Sequence, residues 1–205
     1  TQALNFSDCN VDYLKVDLLS LSGHKIYGPK GVGAIYIRQG TPFKPIIFGG
    51  HQQTNIRPGT YNVPGIVGLA EAVDLLNNKK EIDQQNKKIK ELRDYLIEQI
   101  TKNISEVTIT GTLENRSPNN ASFVFGGVEG EDILLMLSQM GIAVSTGSAC
   151  SSGSLDPSHV LLAIGLSPEL ARGSLRVSLS KYNTKDEIEV FLESLTVIID
   201  KLRQM

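Results

Sequence analysis

The stretch SGHKIYGPKG, residues 22–31, lies between two runs of β-forming residues, 16–21 and 32–38. Glycine and proline favour a turn over a continuous strand, so we expect two strands joined by this stretch. Lys25 lies at its centre, and the hydroxyl of Ser22 and the imidazole of His24 precede it closely. A lysine held between two strands can have its ammonium partly desolvated, which leaves a nucleophilic amine. Such an amine can bind an aldehyde cofactor as a Schiff base.

Glycine is concentrated around this lysine, at Gly23, Gly28, Gly31 and Gly33. Because glycine has no side chain, these positions let the backbone approach a ligand closely, and Pro29 stiffens the turn. The same local pattern also fits a plain hairpin loop, since glycine-rich turns with a lysine are common.

Composition narrows the class of protein. The chain has 205 residues, of which 40% are hydrophobic and 20% charged, enough to bury a core as one domain or as two smaller ones. Its net charge of -2 gives no basic patch for nucleic acid, and no run approaches the roughly 20 apolar residues of a membrane span. Catalysis or protein partners therefore remain.

Cysteine usage indicates a reducing compartment. Cys9 and Cys150 form no CxxC pair and have no histidine at ligand spacing, so neither a disulfide framework nor a zinc site is expected. We expect a cytoplasmic protein. The sequence opens at Thr1 without a signal peptide, and we interpret this start as a boundary of processing or of cloning.

The first half is predicted to contain little regular structure outside the two strands and a long helical region. Residues 1–17 indicate a loop with a short turn, and residues 41–60 an extended connection. From Pro64 to Ile100 apolar residues recur at three- and four-residue steps, weakened at Asn77 and Asn78. This pattern predicts one long kinked helix or two consecutive helices.

The second half predicts an α+β unit. Strands are expected at residues 107–110, 122–125, 142–144 and 174–179. Helices are expected at residues 131–140 with Gly141 ending the helix, from Asp156-Pro157 to Gly165, and after the capping box of Thr184 and Glu187. Alternation in residues 174–179 places Arg176 on the face opposite the apolar core.

Cys150 is the second candidate for chemistry. It lies in a tract of serine and glycine, residues 145–154, a composition that keeps a thiol accessible. A surface thiol without function fits the same composition. For Arg176, the planar guanidinium can bind a carboxylate through two parallel hydrogen bonds, and an ion pair on an edge strand is the alternative.

Three stretches together resemble a known family. They are SGHKIYGPKG, GGHQQTNIRPGTYNVPGI from Gly49, and GIAVSTGSACSSGSLDPSHVL from Gly141. In this order they resemble the cysteine desulfurases of the NifS and IscS type, class V aminotransferase-like enzymes that depend on pyridoxal 5'-phosphate. The resemblance covers this whole chain but only the C-terminal portion of the family's chain.

The resemblance implies an α/β fold, the C-terminal part of a fold-type I pyridoxal-phosphate-dependent transferase. Residues 1–75 would be the C-terminal part of the cofactor-binding large domain and contain the end of its sheet. Residues 76–103 would be a linking helix, and residues 104–205 a small α+β domain. The family's carboxylate partner of the pyridine nitrogen would fall before residue 1.

The resemblance also implies roles for the cofactor. Lys25 would carry pyridoxal phosphate covalently, Ser22 and His24 would meet its phosphate, and Gln2 would lie near its phenolic oxygen. The loop after the second strand would cross to the partner subunit of a homodimer, where Thr60 would contact the phosphate.

The implied reaction removes sulfur from L-cysteine. Arg176 would bind the substrate carboxylate, Lys25 would move the α-proton, and Cys150 would take the sulfur as a persulfide and leave L-alanine. The sulfur would pass to an acceptor or to an iron–sulfur scaffold protein. No role is assigned to the remaining cysteine and histidines, Cys9, His51 and His159.

Two alternatives stay open. One is a related pyridoxal-phosphate enzyme, such as a selenocysteine lyase or an aminotransferase. The other is a catalytically incomplete chain, half of a split or nicked enzyme. We expect the single chain to require the upstream N-terminal half of the enzyme, because the resemblance places the partner of the pyridine nitrogen there.

Overall fold

The computed structural model describes residues 1–147 and 157–205. These residues form two compact units, Thr1–Asp83 and Gln84–Met205. The boundary lies within the segment 76–103, and the assignment of that segment as a linking helix stays a prediction. Among the helices of the described ranges, none has the length and apolar character needed to cross a membrane.

The first unit is built on an antiparallel hairpin. Strand β1, Leu18–Ser22, pairs with β2, Gly33–Ile37, in a register that runs from Leu18 opposite Ile37 to Ser22 opposite Gly33. A 3₁₀ turn, Gly23–Ile26, follows β1 directly. The prediction of two strands joined by the glycine-rich stretch is therefore confirmed.

The segment before β1 is more regular than predicted. It contains a 3₁₀ turn, Ala3–Asn5, and a short helix α1, Val11–Leu14. The Asn10 side chain accepts hydrogen bonds from two backbone amides at the start of α1, at 2.9 and 3.0 Å. Because one helical turn is too short to show an apolar period, the sequence pattern indicated a loop with a short turn and no helix.

A helix closes the core of the first unit. Helix α2, Val63–Leu76, begins where the Asn62 side chain accepts a hydrogen bond from the amide of Gly65 at 3.1 Å. Its buried residues Leu69 and Ala72 pack with Ile26 of the 3₁₀ turn. The chain between β2 and α2 contains only one short element, the 3₁₀ turn Gln53–Asn55, as expected for an extended connection.

The sequence predicted either one long kinked helix or two consecutive helices, and the structure contains two consecutive helices. Helix α2 ends at Leu76 and α3 spans Lys79–Asn103. In the second unit α3 contributes the buried residues Ile89, Leu96 and Ile100 to the core.

The second unit contains a three-stranded antiparallel sheet in the order β3-β4-β5. The strands are β3, Val107–Ile109, β4, Asn120–Phe125, and β5, Ser174–Ser178. Phe123 lies opposite Leu175, and both are fully buried on the apolar face.

Helices cover both faces of this sheet. Helix α4, Gly130–Gln139, contacts β5 and α7, which spans Lys185–Arg203. On the other face, Val124 packs with Leu161 of α5, His159–Ala163, and Ala171 of α6, Pro168–Arg172. The α+β character predicted for this half agrees with these elements.

Several local predictions in this unit are confirmed. Gly141 follows α4 with φ +78, a left-handed conformation that glycine adopts without steric cost. The capping box of Thr184 and Glu187 begins α7. Arg176 lies on the face opposite the buried Leu175, although its neighbour on that face, Ser174, is also buried.

Other local predictions are wrong. Residues 142–144 form no strand, and only Ser145 pairs with Arg176 through an isolated bridge. Helix α5 begins after Ser158, whereas Asp156 lies outside the described residues. The pattern also missed α6, which begins after Ser167, whose hydroxyl accepts a hydrogen bond from the amide of Leu170 at 3.3 Å.

Candidate functional site

Lys25 lies on a turn whose neighbouring residue anchors it. Ile26 is 2% exposed and packs against Leu69 and Ala72 of α2, whereas the Lys25 side chain is exposed. Since a 3₁₀ turn directs successive side chains to different sides, burial of Ile26 turns Lys25 away from the core. The hairpin and α2 therefore present the Lys25 amine at the surface of the first unit.

Backbone hydrogen bonds hold this turn on both sides. The buried side chain of Asn5 donates from Nδ2 to the carbonyl oxygen of Lys25 at 2.6 Å. The amide of Gly23 donates to the carbonyl of Val32 at 2.9 Å, and the amide of Gly28 donates to the carbonyl of Gly23 at 2.9 Å. The backbone at Lys25 is thus fixed by the segment before β1 as well as by the hairpin.

The glycines around Lys25 serve the chain's own packing. A Cβ on Gly23 would lie 2.7 Å from the carbonyl oxygen of Pro29, and one on Gly33 would lie 2.5 Å from that of Leu21. Real Cβ atoms do not approach backbone oxygen so closely, so both positions require glycine. The close approach that we expected toward a ligand is, at these two positions, an approach to the protein backbone itself.

The groups around Lys25 are available for a ligand. Lys25 and His24 are exposed and Ser22 is half-buried. In the described ranges, none of these three side chains forms a hydrogen bond or an ion pair with a neighbouring residue. The first unit does not provide the partial desolvation expected for Lys25. It buries the side chain of Ile26 and leaves that of Lys25 exposed.

The two other predicted cofactor residues are also exposed. Gln2 precedes the 3₁₀ turn Ala3–Asn5, the turn that places Asn5 against the backbone of Lys25. Thr60 follows Gly59, whose amide donates to the side-chain oxygen Oε1 of Gln52 at 3.2 Å. Both residues therefore adjoin anchored backbone in the first unit.

Arg176 binds backbone rather than a carboxylate. Its Nη1 donates to the carbonyl oxygen of Gly147 at 2.9 Å, and its backbone forms a pair of hydrogen bonds with Ser145 at 2.7 and 3.1 Å. The side chain is half-buried and, in the part of the chain that the structure describes, forms no ion pair. The alternative of an edge-strand ion pair is thus not formed with any described residue.

Cys150 lies outside the described residues, so its predicted role is not tested. On one side of it, Gly147 is held by Arg176. A Cβ on Gly147 would lie 3.4 Å from the Cβ of Ser158, the residue that precedes α5, so the flanking residues Gly147 and Ser158 are neighbours. Cys9 is a half-buried free thiol.

Sequence reasoning missed the residues that support the site. Asn5 gave no signal, because it stands in a polar stretch without any period. Asn55 adopts a positive φ of 64 and accepts a hydrogen bond from His51 at 2.7 Å. Asparagine is one of the few residues that tolerate this conformation. This preference is the sequence signal that could have indicated Asn55.

Comparison with known proteins identifies the family. The family described as Aminotransferase class-V matches residues 1–191. The chain belongs to this family. Class V aminotransferase-like enzymes depend on pyridoxal phosphate.

Curated relatives in this family are cysteine desulfurases. The chain is 52% identical to the cysteine desulfurase IscS of Dictyoglomus turgidum over 202 residues, which cover 98% of this chain and 51% of that protein. It is 45% identical to the cysteine desulfurase of Gluconacetobacter diazotrophicus over 204 residues, which cover 100% of this chain and 50% of that protein. The chain therefore spans about half the length of the curated relatives it matches, their C-terminal half.

Solved structures of the family share the fold. A NifS-like protein matches with a TM-score of 0.86 and 37% identity, covering 98% of this chain and 51% of that chain. The NifS-like protein from Rickettsia africae matches with a TM-score of 0.87 and 32% identity, covering 98% and 52%. The predicted fold class, an α/β fold that corresponds to the C-terminal half of a NifS-like enzyme, is confirmed.

The side chains of the Lys25 turn suit the family's cofactor chemically. Pyridoxal phosphate requires a primary amine for its aldehyde and hydrogen-bond donors for its phosphate. Lys25 supplies an exposed amine, His24 on the same turn supplies an imidazole, and Ser22 at the end of β1 supplies a hydroxyl.

Proposed function

We propose that this chain supplies the C-terminal half of a pyridoxal-phosphate-dependent cysteine desulfurase, which converts L-cysteine to L-alanine and leaves the sulfur on Cys150 as a persulfide. The observation that carries the proposal is the Lys25 turn, which is packed through Ile26, held by Asn5 and exposes its amine. The 52% identity to an IscS cysteine desulfurase supports the same reaction.

Five residues of the first unit are proposed to hold the cofactor. Lys25 Nζ would bind it covalently, and the Ser22 hydroxyl and His24 imidazole would bind its phosphate. Gln2 would donate to its phenolic oxygen, and Thr60 would contact the phosphate held by the other subunit of a homodimer. When bound, the cofactor supplies a conjugated ring that withdraws electrons from the substrate Cα.

Arg176 is proposed to bind the substrate carboxylate. A guanidinium has five N–H donors, and among the described residues its side chain uses only Nη1, toward Gly147. The donors that remain suffice for two parallel hydrogen bonds to the α-carboxylate of L-cysteine. This grip fixes the direction of the Cα–H bond, and the Lys25 amine accepts the proton from Cα.

Sulfur transfer is proposed for Cys150. Its thiolate attacks the substrate sulfur, so that a sulfur–sulfur bond forms while the bond between the substrate Cβ and sulfur breaks. The electron pair of the broken bond stays with the substrate, which is protonated at Cβ and becomes alanine. L-cysteine and the enzyme thiol thus give L-alanine and an enzyme persulfide, and no external oxidant is needed.

The persulfide is proposed to pass to a sulfur acceptor or an iron–sulfur scaffold protein. A cytoplasmic location suits this transfer, because thiols and persulfides persist where the compartment is reducing. Selenocysteine lyase and aminotransferase activities are the alternatives within the same chemistry. Sulfur retained on Cys150 after one turnover would exclude an aminotransferase.

The second candidate function is binding without catalysis. In this case the chain alone would bind its partners but would not convert substrate. The observation that favours it is length, because the chain spans about half of its curated relatives. We call this chain, together with the half that the relatives carry in addition, the assembled enzyme. We expect the assembled enzyme to show the visible absorbance of bound cofactor and to release sulfide from L-cysteine. We expect this chain alone to do neither.

Reduction with borohydride followed by peptide mapping of the assembled enzyme tests the proposal. The pyridoxyl adduct should map to Lys25 and disappear in Lys25→Ala. Lys30 is an exposed lysine of the same glycine-rich stretch, so Lys30→Ala is a matched control and should retain the adduct. An adduct on any other lysine of the assembled enzyme, including one in the added half, would refute the assignment.

A further inference from the structure

The segment Gln53–Asn55 has an uncommon backbone. Its three residues have φ of 49, 56 and 64, so three consecutive residues with side chains lie in the left-handed region. Amino acids with a Cβ rarely adopt this conformation, because the Cβ approaches the following carbonyl oxygen, and single asparagines are the usual exceptions. A run of three therefore requires support from outside the segment.

Side chains on both flanks provide this support. The Oδ1 atom of Asn55 has no hydrogen, so in the contact of 2.7 Å the Nδ1 atom of His51 is the donor. The Oε1 atom of Gln52 accepts from the amide of Gly59 at 3.2 Å, and the amide of Gln53 donates to the hydroxyl of Tyr61 at 3.5 Å. His51 alone among these acts directly on the side chain of a left-handed residue.

The turn Gln53–Asn55 is followed directly by residues 56–60, which we call the arm and which end at Thr60. The amide of Ile56 donates to the carbonyl of Gln53 at 3.0 Å, which ties the end of the turn to its beginning. Gly59, held by Gln52, has φ +113 and precedes Thr60. A change in the direction of the backbone at Asn55 would therefore move the arm from residue 56 to Thr60.

We infer that His51 is a positioning residue: its hydrogen bond to Asn55 holds the left-handed turn that presents Thr60 to the cofactor phosphate. The inference rests on the proposed function, because Thr60 is a proposed phosphate ligand. His51 acts through Asn55 and touches neither cofactor nor substrate.

Glycine at position 55 separates this role from a direct one. Glycine adopts positive φ without steric cost, so Asn55→Gly should keep the turn without any side-chain support. His51→Ala should weaken the affinity of the assembled enzyme for pyridoxal phosphate about fivefold, the effect of one lost hydrogen bond. The double variant should return to within about twofold of the wild type, because the turn no longer needs the bond.

A second readout is independent of the cofactor. Hydrogen exchange of the peptide that covers residues 52–60, measured without cofactor, should be faster in His51→Ala and should return toward the wild-type rate in the double variant. His159→Ala removes another exposed histidine, in the second unit, and is the matched control that should change neither measurement.

Three outcomes overturn the inference. Unchanged cofactor affinity in His51→Ala, with the adduct still on Lys25, would show that the turn does not position Thr60. A double variant as weak as His51→Ala would show that His51 does not act through Asn55. Absence of any adduct on Lys25 in the wild type would refute the proposed function, and this inference with it.

Discussion

Truncation of Ile26 tests what holds the Lys25 turn in place. We expect Ile26→Ala to loosen the turn, because Ile26 is 2% exposed and is the residue of the turn that packs with Leu69 and Ala72 of α2. Ile35, on β2 of the same hairpin, is 48% exposed and provides a matched control with the same change in side chain.

The two substitutions should lower the free energy of unfolding by clearly different amounts. Truncation of a buried isoleucine to alanine costs about 2–5 kcal/mol. The core of the first unit is small, so its neighbours can partly fill the space, and we expect about 3 kcal/mol for Ile26→Ala. The half-exposed Ile35 loses less buried surface, and the expected cost of Ile35→Ala is about 1 kcal/mol.

Native-state hydrogen exchange of the amides of Gly23 and Gly28 measures this difference. Both amides donate within the turn and hairpin, to Val32 and Gly23, so they report its opening. Because each 1.4 kcal/mol changes an equilibrium tenfold, we expect exchange about 150-fold faster in Ile26→Ala and about fivefold faster in Ile35→Ala. Equal acceleration in the two variants would show that strand pairing, and not packing on α2, holds the Lys25 turn.

Three further predictions concern the second unit. Cys150→Ser in the assembled enzyme should keep cofactor absorbance and lose sulfide release, and unchanged turnover would remove Cys150 from the mechanism. Arg176→Lys should raise KM for L-cysteine at least about tenfold, since lysine cannot form two parallel hydrogen bonds to the carboxylate; steady-state kinetics with a KM close to that of the wild type would contradict the role of Arg176. Hydrogen bonds from the backbone of Thr184 and then from the Asn183 side chain lower the pKa of Glu187. This carboxylate therefore adds stability above its unfolded pKa of about 4.3, and the contribution is lost as pH falls through the lower folded pKa. Acid unfolding should be less pH-dependent in Glu187→Gln, which keeps the capping bond without the titration, and identical acid profiles would count against this account.

Much of the fold could be predicted from local patterns, because long periods and turn residues carry strong signals. The last helix, α7, and the capping box of Thr184 and Glu187 that begins it both formed as expected. The short helices α1 and α6 were missed, because a helix of about one turn shows no apolar period. The features that stabilise α6 are the cap at Ser167 and the burial of Ala171. Residues 142–144 have β-forming composition but form no strand, and the isolated bridge next to them joins Ser145 to Arg176.

The candidate site could be predicted only in part, for a similar reason. The position of Lys25 in its turn follows from local sequence, because glycine and proline determine where the chain reverses. The support from Asn5 and from α2 comes from residues distant in sequence, at separations that no local pattern encodes. The contact of Arg176 with Gly147 likewise joins a strand to a distant loop, so the sequence indicated its face but not its partner.

The hairpin of β1 and β2 bears on how the protein must be produced. In the described residues it is a sheet of only two strands, so each strand has one edge without a strand partner. Unpaired edges expose amides and carbonyls that pair with any extended chain they meet, and a two-stranded sheet is only marginally stable in water. Yield in a heterologous host should therefore depend on synthesis rate and on low temperature, and simultaneous synthesis of the half that the relatives carry should improve recovery more than refolding at high concentration.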